Sequence, residues 1–409
     1  MSKRVVVIGA GPGGLMAAGQ ASGRGNDVIL LEKNDGIGKK ILLTGKGRCN
    51  ITNTTDVEGL IQNTPGNGSF LYSVFYTFSN QDLIGFLEGL GLKTKEERGG
   101  RVFPVSDRAG DVNSAFLRFL KNTDTKLKLN SPAKEIETKD GRVQAVVLKD
   151  GRRFLCESVI IATGGLSYPG TGSTGDGYSM ARALGHTIVK PRPSLVPLIT
   201  EESWPTQLSG LSLKNVSISV KNKIGKELYK DFGEMLFTHF GVSGPIILSS
   251  GRHMLEHNYK GIKLLIDLKP ALSMEKLDER IRRDFEKYSR KQFRNSLNDI
   301  LPKKMIAPII NLSGIDPNKP VNQINKDERW AFVKTLKNLT LTIKDSRPIR
   351  EAIVTAGGVC TDEINPSTME SKLIKGLYFA GEVIDVDAYT GGFNLTIAFS
   401  TGYCAGTNC

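Results

Sequence analysis

Arg4-Val-Val-Val-Ile8 followed by Gly9-Ala-Gly11-Pro-Gly-Gly14 decides the fold. Four consecutive β-branched residues, Val5 to Ile8, suit a parallel strand covered on both faces. Gly9, Gly11 and Gly14 then match G-x-G-x-x-G, in which the first glycine makes the tight turn, the second admits a pyrophosphate to the backbone, and the third lets helix and strand pack closely. The phosphates sit at the positive end of the helix that follows. Two more requirements of the unit are met: an Ala-rich helix leads to a second apolar strand, Val28 to Leu31, and that strand ends at Glu32, near the expected spacing of about twenty residues. A carboxylate there accepts from a ribose 2′-hydroxyl and repels a 2′-phosphate. The dinucleotide contacts expected from this end are Gly9, Ala10, Gly11, Pro12, Gly13, Gly14, Glu32 and Lys33.

The far end of the chain says which dinucleotide. The run Gly376-Leu-Tyr-Phe-Ala enters Gly381-Glu382-Val-Ile-Asp385, then Tyr389-Thr-Gly391-Gly392-Phe393-Asn394-Leu395, then an apolar helix to about Cys404. This repeats the order strand, polar turn, glycines, helix start. A nicotinamide dinucleotide has no need of a second such element, whereas FAD carries a ribitol and a ring that gains negative charge when reduced, which a helix N-terminus near Gly392 stabilises. Gly381, Glu382, Asp385, Gly392, Phe393, Asn394 and Leu395 are therefore FAD candidates, Glu382 and Asp385 for ribitol hydroxyls or substrate, and Asn394 and Leu395 as backbone donors to the ring.

Together with these two blocks, the segments GKKILLTGKGRCNITN (38–53), GRVFPVSDRAGDV (100–112), ATGGLSYPGTGSTGDGY (162–178) and FTHFGVSGP (237–245) give a pattern that resembles the bacterial aminoacetone-oxidase-like family of NAD(P)/FAD-dependent oxidoreductases. The resemblance spans nearly the whole chain. It implies FAD as cofactor, a distant similarity to fumarate-reductase-like flavoproteins, and an activity of which reduction of carbon–carbon double bonds in steroid-like compounds is one example.

Between the ends, 38–53 follows Glu32 closely and should run from the adenosine toward the flavin ring. Lys39, Lys40 and Arg48 are cations for phosphate or reduced ring; Thr44 and Gly45 permit close backbone approach; Asn50 and Asn53 are polar ring contacts. Cys49 stands alone, so a dithiol relay is not expected, and packing or a contact to the flavin edge is its expected role. Ala133 is the choice for a backbone contact to adenine, and Thr163 and Gly164, which close the strand Val159 to Thr163, are further expected cofactor contacts. Gly170-Thr-Gly172-Ser-Thr-Gly175 also fits G-x-G-x-x-G but follows loop chemistry, Leu166-Ser-Tyr168-Pro169, and reads as a loop beside the flavin. A reduced nicotinamide, NAD(P)H, acting as donor would then bind only transiently. His239, Tyr168 and Tyr389 are the candidate proton donors.

The 409 residues suffice for two or three domains. The expected fold is α/β: a discontinuous Rossmann-like FAD-binding domain, 1–190 and 345–409, with an inserted β-barrel-like region, 191–269 and 330–344, and a helical region, 270–329. Pro191, Pro193 and Pro197 should break the chain; Pro302, Pro308, Pro317 and Pro320 should mark loops. No run is long enough to span a membrane, the start turns glycine-rich too quickly for a secretory leader, and five cysteines without close pairing suit a cytoplasmic protein. Four scattered histidines offer no metal-ligand spacing. The net charge of +13 raises nucleic acid as a partner, but much of it is mixed: Leu277, Ile281, Phe285 and Tyr288 at helical spacing make Glu275 to Lys304 an amphipathic helix with a solvated charged face, and no aromatics interleave with the basic residues. The expected function is hydride transfer through flavin N5 to or from a small organic substrate, in a pocket between the FAD domain and the insert. The alternatives are a tRNA-modifying flavoprotein and a flavin-binding sensor without turnover.

Overall fold

Val5, Val6 and Val7 have no exposed surface, as a central parallel strand requires. In the computed structural model, which describes residues 2–409, the strand Arg4–Ile8 is the middle of a five-stranded parallel sheet in the order Leu377–Phe379, Ser158–Ile161, Arg4–Ile8, Asp27–Leu31, Lys126–Lys128. The helix Pro12–Gly23 crosses from the first strand to the second. Against it lies the C-terminal helix Phe393–Asn408, and glycines set the spacing. A methyl on Gly402 would sit 2.3 Å from the Gly13 carbonyl oxygen, and one on Gly406 2.3 Å from that of Ala17. Backbone therefore meets backbone, and the first and last helices of the chain pack together. Stacked rings of Phe116 and Phe399, 5.1 Å apart, continue the core on that side.

The chain divides into two compact units, one of residues 2–194 with Ile349–Cys409 and the other Leu195–Pro348. The first adds a three-stranded antiparallel sheet, Ala133–Lys139, Arg142–Leu148 and Arg153–Leu155, and the pair Ile188–Ser194 with Val354–Val359. The second contains a closed six-stranded barrel, Leu198–Thr200, Ser212–Lys221, Glu227–Thr238, Gly241–Ser243, Ile262–Asp267 and Leu339–Ser346, with helices Met274–Lys287, Lys303–Ser313 and Lys326–Lys337. The α/β class and the barrel are those expected.

Three local expectations are corrected. Pro191 and Pro193 do not break the chain: both lie in the strand Ile188–Ser194, whose register shifts between Val189 and Arg192. Having one neighbour and an irregular ladder, this strand tolerates residues without an N–H. The helix expected over 275–304 stops at Lys287. It buries Leu277, Ile281 and Phe285 as read, but the Tyr288 hydroxyl donates to Asp299 (2.8 Å) and Lys287 pairs with the same carboxylate (2.7 Å), turning the chain back. Pro308 is inside the helix Lys303–Ser313, where burial of its neighbours Met305, Ile306, Ile309 and Ile310 outweighs the missing hydrogen bond.

Candidate functional site

A cleft at the carboxyl ends of the parallel strands is lined from both ends of the chain, by Gly9 to Gly13 on one side and Ala380 to Glu382 with Asn394, Leu395, Ile397 and Ala398 on the other. This is where open α/β sheets bind ligands. Its empty space, open solvent at the mouth included, is about 1310 Å³, and its lining runs from the first glycine turn to the start of the C-terminal helix.

The three glycines of the first turn have different reasons to be glycine. Gly9 has φ +103°, and a methyl there would lie 2.5 Å from the Ala162 carbonyl oxygen. On Gly14 a methyl would lie 1.8 Å from the Gly9 carbonyl oxygen, so Gly14 serves helix–strand packing and does not line the cleft. Gly11 has ordinary extended backbone, φ −79° and ψ −178°, and a methyl on it would meet no protein atom within 4 Å. Gly11 lines the cleft, so its bare face serves the space beside it rather than the fold. A second sign of an intended occupant is the Thr163 hydroxyl, buried on the cleft wall with no hydrogen-bond partner. These features fit the pyrophosphate and sugar of FAD.

Glu32 is 8 % exposed and holds the turn as well as facing the cleft. One carboxylate oxygen accepts from the Ala10 N–H (2.8 Å), the other from the N–H and side-chain amide of Asn34 (2.8 Å each). Asn34 reaches on to the Thr171 carbonyl (3.1 Å), and Lys33 bonds Thr174 and pairs with Asp176 (2.8 Å). The loop 171–176, expected beside the flavin, thus lies across from Glu32, and Thr171, Gly172, Ser173 and Asp176 join the lining. Ala133 lines the same region.

Toward the other end, the Lys40 ammonium lies 2.6 Å from both the Ser167 hydroxyl and Glu382. The second oxygen of Glu382 accepts from Ser167 (2.9 Å) and the Thr355 N–H (2.9 Å). Lys39 pairs with Asp35 (2.7 Å), and Lys39, Lys40, Thr44, Gly164, Gly381, Asn394 and Leu395 all line the cleft. The Asn394 side chain is turned to backbone, accepting from the Ala388 N–H (3.0 Å) and donating to the Ala388 carbonyl (2.8 Å).

Several expected contacts lie elsewhere. Arg48 is not on the lining: its guanidinium pairs with Glu97 and with Asp107 (2.8 Å) and lies over the Phe103 ring at 4.1 Å. Gly45, Cys49, Asn50, Asp385, Gly392 and Phe393 are also outside it. Asn50 and Asn53 brace the helix start instead of facing the cleft. The Asn53 amide donates to the Gly391 carbonyl (3.3 Å), and Asn50, with its amide oriented to satisfy both ends, accepts from the Gly392 N–H (3.1 Å). A methyl on Gly392, at φ +101°, would lie 2.3 Å from the Thr52 carbonyl oxygen. Asp385 holds the Asn67 amide through its carboxylate (3.1 Å) and carbonyl (2.7 Å). Burial pushes the Cys49 thiol up to about 12, with the Thr44 contact opposing, so it carries no thiolate.

Of the proton-donor candidates, Tyr168 stands at φ +51° outside the lining, its ring centroid 5.9 Å from the ammonium of Lys40, which is on it. Burial raises its pKa and keeps the phenol protonated. Tyr389 is in the turn before Gly391, outside the lining. His239 belongs to the other unit, exposed at the turn joining Glu227–Thr238 to Gly241–Ser243, with its ring against Phe240. Among the described residues no group of three or more His, Cys, Asp or Glu could hold a metal, and no helix is long and apolar enough to cross a membrane. The sequence reading missed Asn34, Ser131, Ile353 and Val386 on the lining; only Asn34, next to Lys33, carried a local signal.

The pattern is shared with known proteins. The HI0933-like protein Rossmann domain matches residues 3–408. A 3-dehydro-bile acid delta(4,6)-reductase of Clostridium scindens is 34 % identical over 98 % of both chains. Ribosomal RNA dihydrouridine synthases are also similar: that of Haemophilus influenzae is 32 % identical over 98 % of this chain and 97 % of its own, and that of Escherichia coli 30 % over 98 % and 96 %. Among solved structures, a flavocytochrome c3 fumarate reductase superposes with TM-score 0.54 at 18 % identity, covering 100 % of this chain and 78 % of that one. The 3-ketosteroid-delta4-(5alpha)-dehydrogenase of Rhodococcus jostii RHA1 does so with TM-score 0.54 at 16 % identity, covering 99 % and 96 %. The chain belongs to the HI0933-like family of FAD-binding Rossmann proteins and is an FAD-dependent oxidoreductase.

Proposed function

We propose that this protein reduces a carbon–carbon double bond conjugated to a carbonyl in a small organic substrate, with NAD(P)H as electron donor. The carrying observation is the full-length relation to a bile acid delta(4,6)-reductase, joined to a cleft whose two walls suit the two ends of FAD. Bound FAD supplies the hydride; the chain binds, orients and handles the proton. The turn Gly9 to Gly13 takes the pyrophosphate, Glu32 the adenosine ribose, and Lys40 with Glu382 the ribitol side. The N–H groups that open the helix Phe393–Asn408, braced by Asn50, face the developing negative charge. Tyr168, protonated and beside Lys40, is the proton donor we favour for the substrate carbon.

A second reading keeps the chemistry and changes the substrate. The dihydrouridine named in two relatives differs from uridine by reduction of one ring double bond next to a carbonyl, and the charge of +13 favours RNA as its carrier. The test reduces the flavin of purified protein anaerobically with NADH or NADPH, then follows its reoxidation against a conjugated enone and against uridine-containing RNA. Reoxidation by the enone alone supports the first reading, and by RNA the second. Protein that takes up no FAD, or a reduced flavin that neither substrate reoxidises, overturns both.

A further inference from the structure

The positive charge is concentrated in one unit. Residues 195–348 hold 26 Lys and Arg against 17 Asp and Glu, which is +9 of the chain's +13. Part of that is neutralised in pairs such as Arg329 with Asp278 and Lys337 with Asp267. One end of the barrel is different. Lys221 ends the strand Ser212–Lys221, the turn from it to Glu227–Thr238 carries Lys223 and Lys226, and beside them Lys260 precedes and Lys263 lies near the start of Ile262–Asp267. None of these five ammonium groups is in an ion pair among the described residues. The nearby acid of the hairpin, Glu227, accepts from the Ser219 hydroxyl at 2.7 Å.

Lys221 stands directly opposite Lys263 on one neighbouring strand and opposite Glu227 on the other. Like charges in the first position destabilise a sheet, and Glu227 is turned to Ser219 without forming an ion pair with Lys221. The stem of Lys223 lies against Gly261, where a methyl would come within 2.1 Å of its ε-carbon, so a third lysine is held over the same two strands. Hydroxyls accompany them: Ser219 stands two residues before Lys221, and Thr342 opposite Lys263 on the next strand. Lysines and hydroxyls on a β surface match the chemistry of phosphates along a nucleic acid backbone, and an anion between Lys221 and Lys263 removes their repulsion.

We propose that the Lys221–Lys226 turn and the adjoining Lys260 and Lys263 form an RNA-binding surface that grips backbone phosphates without reading bases. This rests on the second reading above, in which RNA carries the substrate. Binding through this surface is sequence-tolerant and strongly salt-dependent.

The experiment titrates a labelled RNA hairpin with the FAD-loaded protein between about 50 and 200 mM salt. Three double variants are compared with the native protein: K221E/K263E, K221Q/K263Q, and K139E/K149E, which makes the same change in net charge on exposed lysines of the other unit. The first should bind about tenfold or more weakly, and both barrel pairs should lower the salt slope by about 1.4 to 1.8, the value for two phosphate contacts. K139E/K149E should leave the slope unchanged. Thermal melting and flavin content identify any variant that fails to fold, and the neutral Gln pair carries the test if the Glu pair does. Native protein that binds no RNA overturns the RNA reading and this surface together. Native binding that the barrel variants retain, or lose no more than K139E/K149E does, overturns the surface alone. Binding to anionic phospholipid vesicles in place of RNA overturns it in favour of a membrane partner.

Discussion

Replacing Gly11 with Ala separates a glycine kept for the ligand from one kept for the fold. Gly11 has a backbone conformation open to any residue, and the added methyl meets no protein atom within 4 Å. Gly-to-Ala changes at such compatible sites stabilise by about 0.4–1 kcal/mol through the unfolded chain, so the apoprotein should melt at the same temperature or slightly higher. The methyl points into the space the pyrophosphate needs and displaces it from the N–H groups of the turn. Loss of one hydrogen bond to a charged acceptor costs about 1.5–3 kcal/mol, which weakens FAD binding about 10- to 150-fold. Gly14→Ala is the contrast, because its methyl would lie 1.8 Å from the Gly9 carbonyl oxygen and must push helix from strand. That variant should lose stability before any ligand is added. The assay is fluorescence titration of apoprotein with FAD, beside melting of the same samples. A Gly11→Ala protein that binds FAD as tightly as the native one would refute the assignment of the cleft.

Gly402→Ala forces the C-terminal helix away from the Gly13 carbonyl; overpacking of about 1–3 kcal/mol exceeds the helix-propensity gain of about 1 kcal/mol, so the melting temperature should drop by several degrees. Tyr168→Phe should leave reduction of the flavin by its donor unchanged and slow reoxidation by the substrate, a split that stopped-flow absorbance resolves. His186 is buried with its ring nitrogens on Glu363 (3.0 Å) and Ser371 (2.9 Å); burial lowers its pKa from the ordinary 6.5, with Glu363 opposing. Because the unfolded chain binds the proton more readily, stability should fall as pH drops below about 6.5, by up to about 1.4 kcal/mol per pH unit. Urea midpoints at several pH values check this, and His186→Gln should flatten the slope. Burial also raises the thiols of Cys49, Cys156, Cys404 and Cys409, so a thiol reagent should modify only the half-buried Cys360 in native protein and all five cysteines after denaturation.

How much of the site was legible varies with the range of the interaction. Gly9, Gly11, Gly14 and Glu32 could be read because their constraints are local: a turn, a close approach and a strand end lie within 25 residues of one another. The inserted barrel was an expectation of the family resemblance, and the alternation in Val216 to Val220 and Lys263 to Leu268 fits its strands. The stop at Lys287 was not, since an Asp299 eleven residues beyond Tyr288 turns the chain there. Arg48 could not be placed either. Its charge suggested phosphate, but its partners Glu97 and Asp107 arrive from segments 49 and 59 residues away.

By itself, then, the sequence determined the phosphate turn, the acid that follows it, and a second glycine-rich helix start suited to FAD, because each is written in consecutive residues. Only the tertiary structure decided that Gly402 and Gly406 bring that second element against the first. It also decided that Asn50 and Asn53 brace the Gly391–Gly392 turn, and that Lys221 pairs with Lys263 on adjacent strands of the barrel. Those outcomes depend on pairings between distant segments, where packing and register choose the neighbours and no local pattern records the choice.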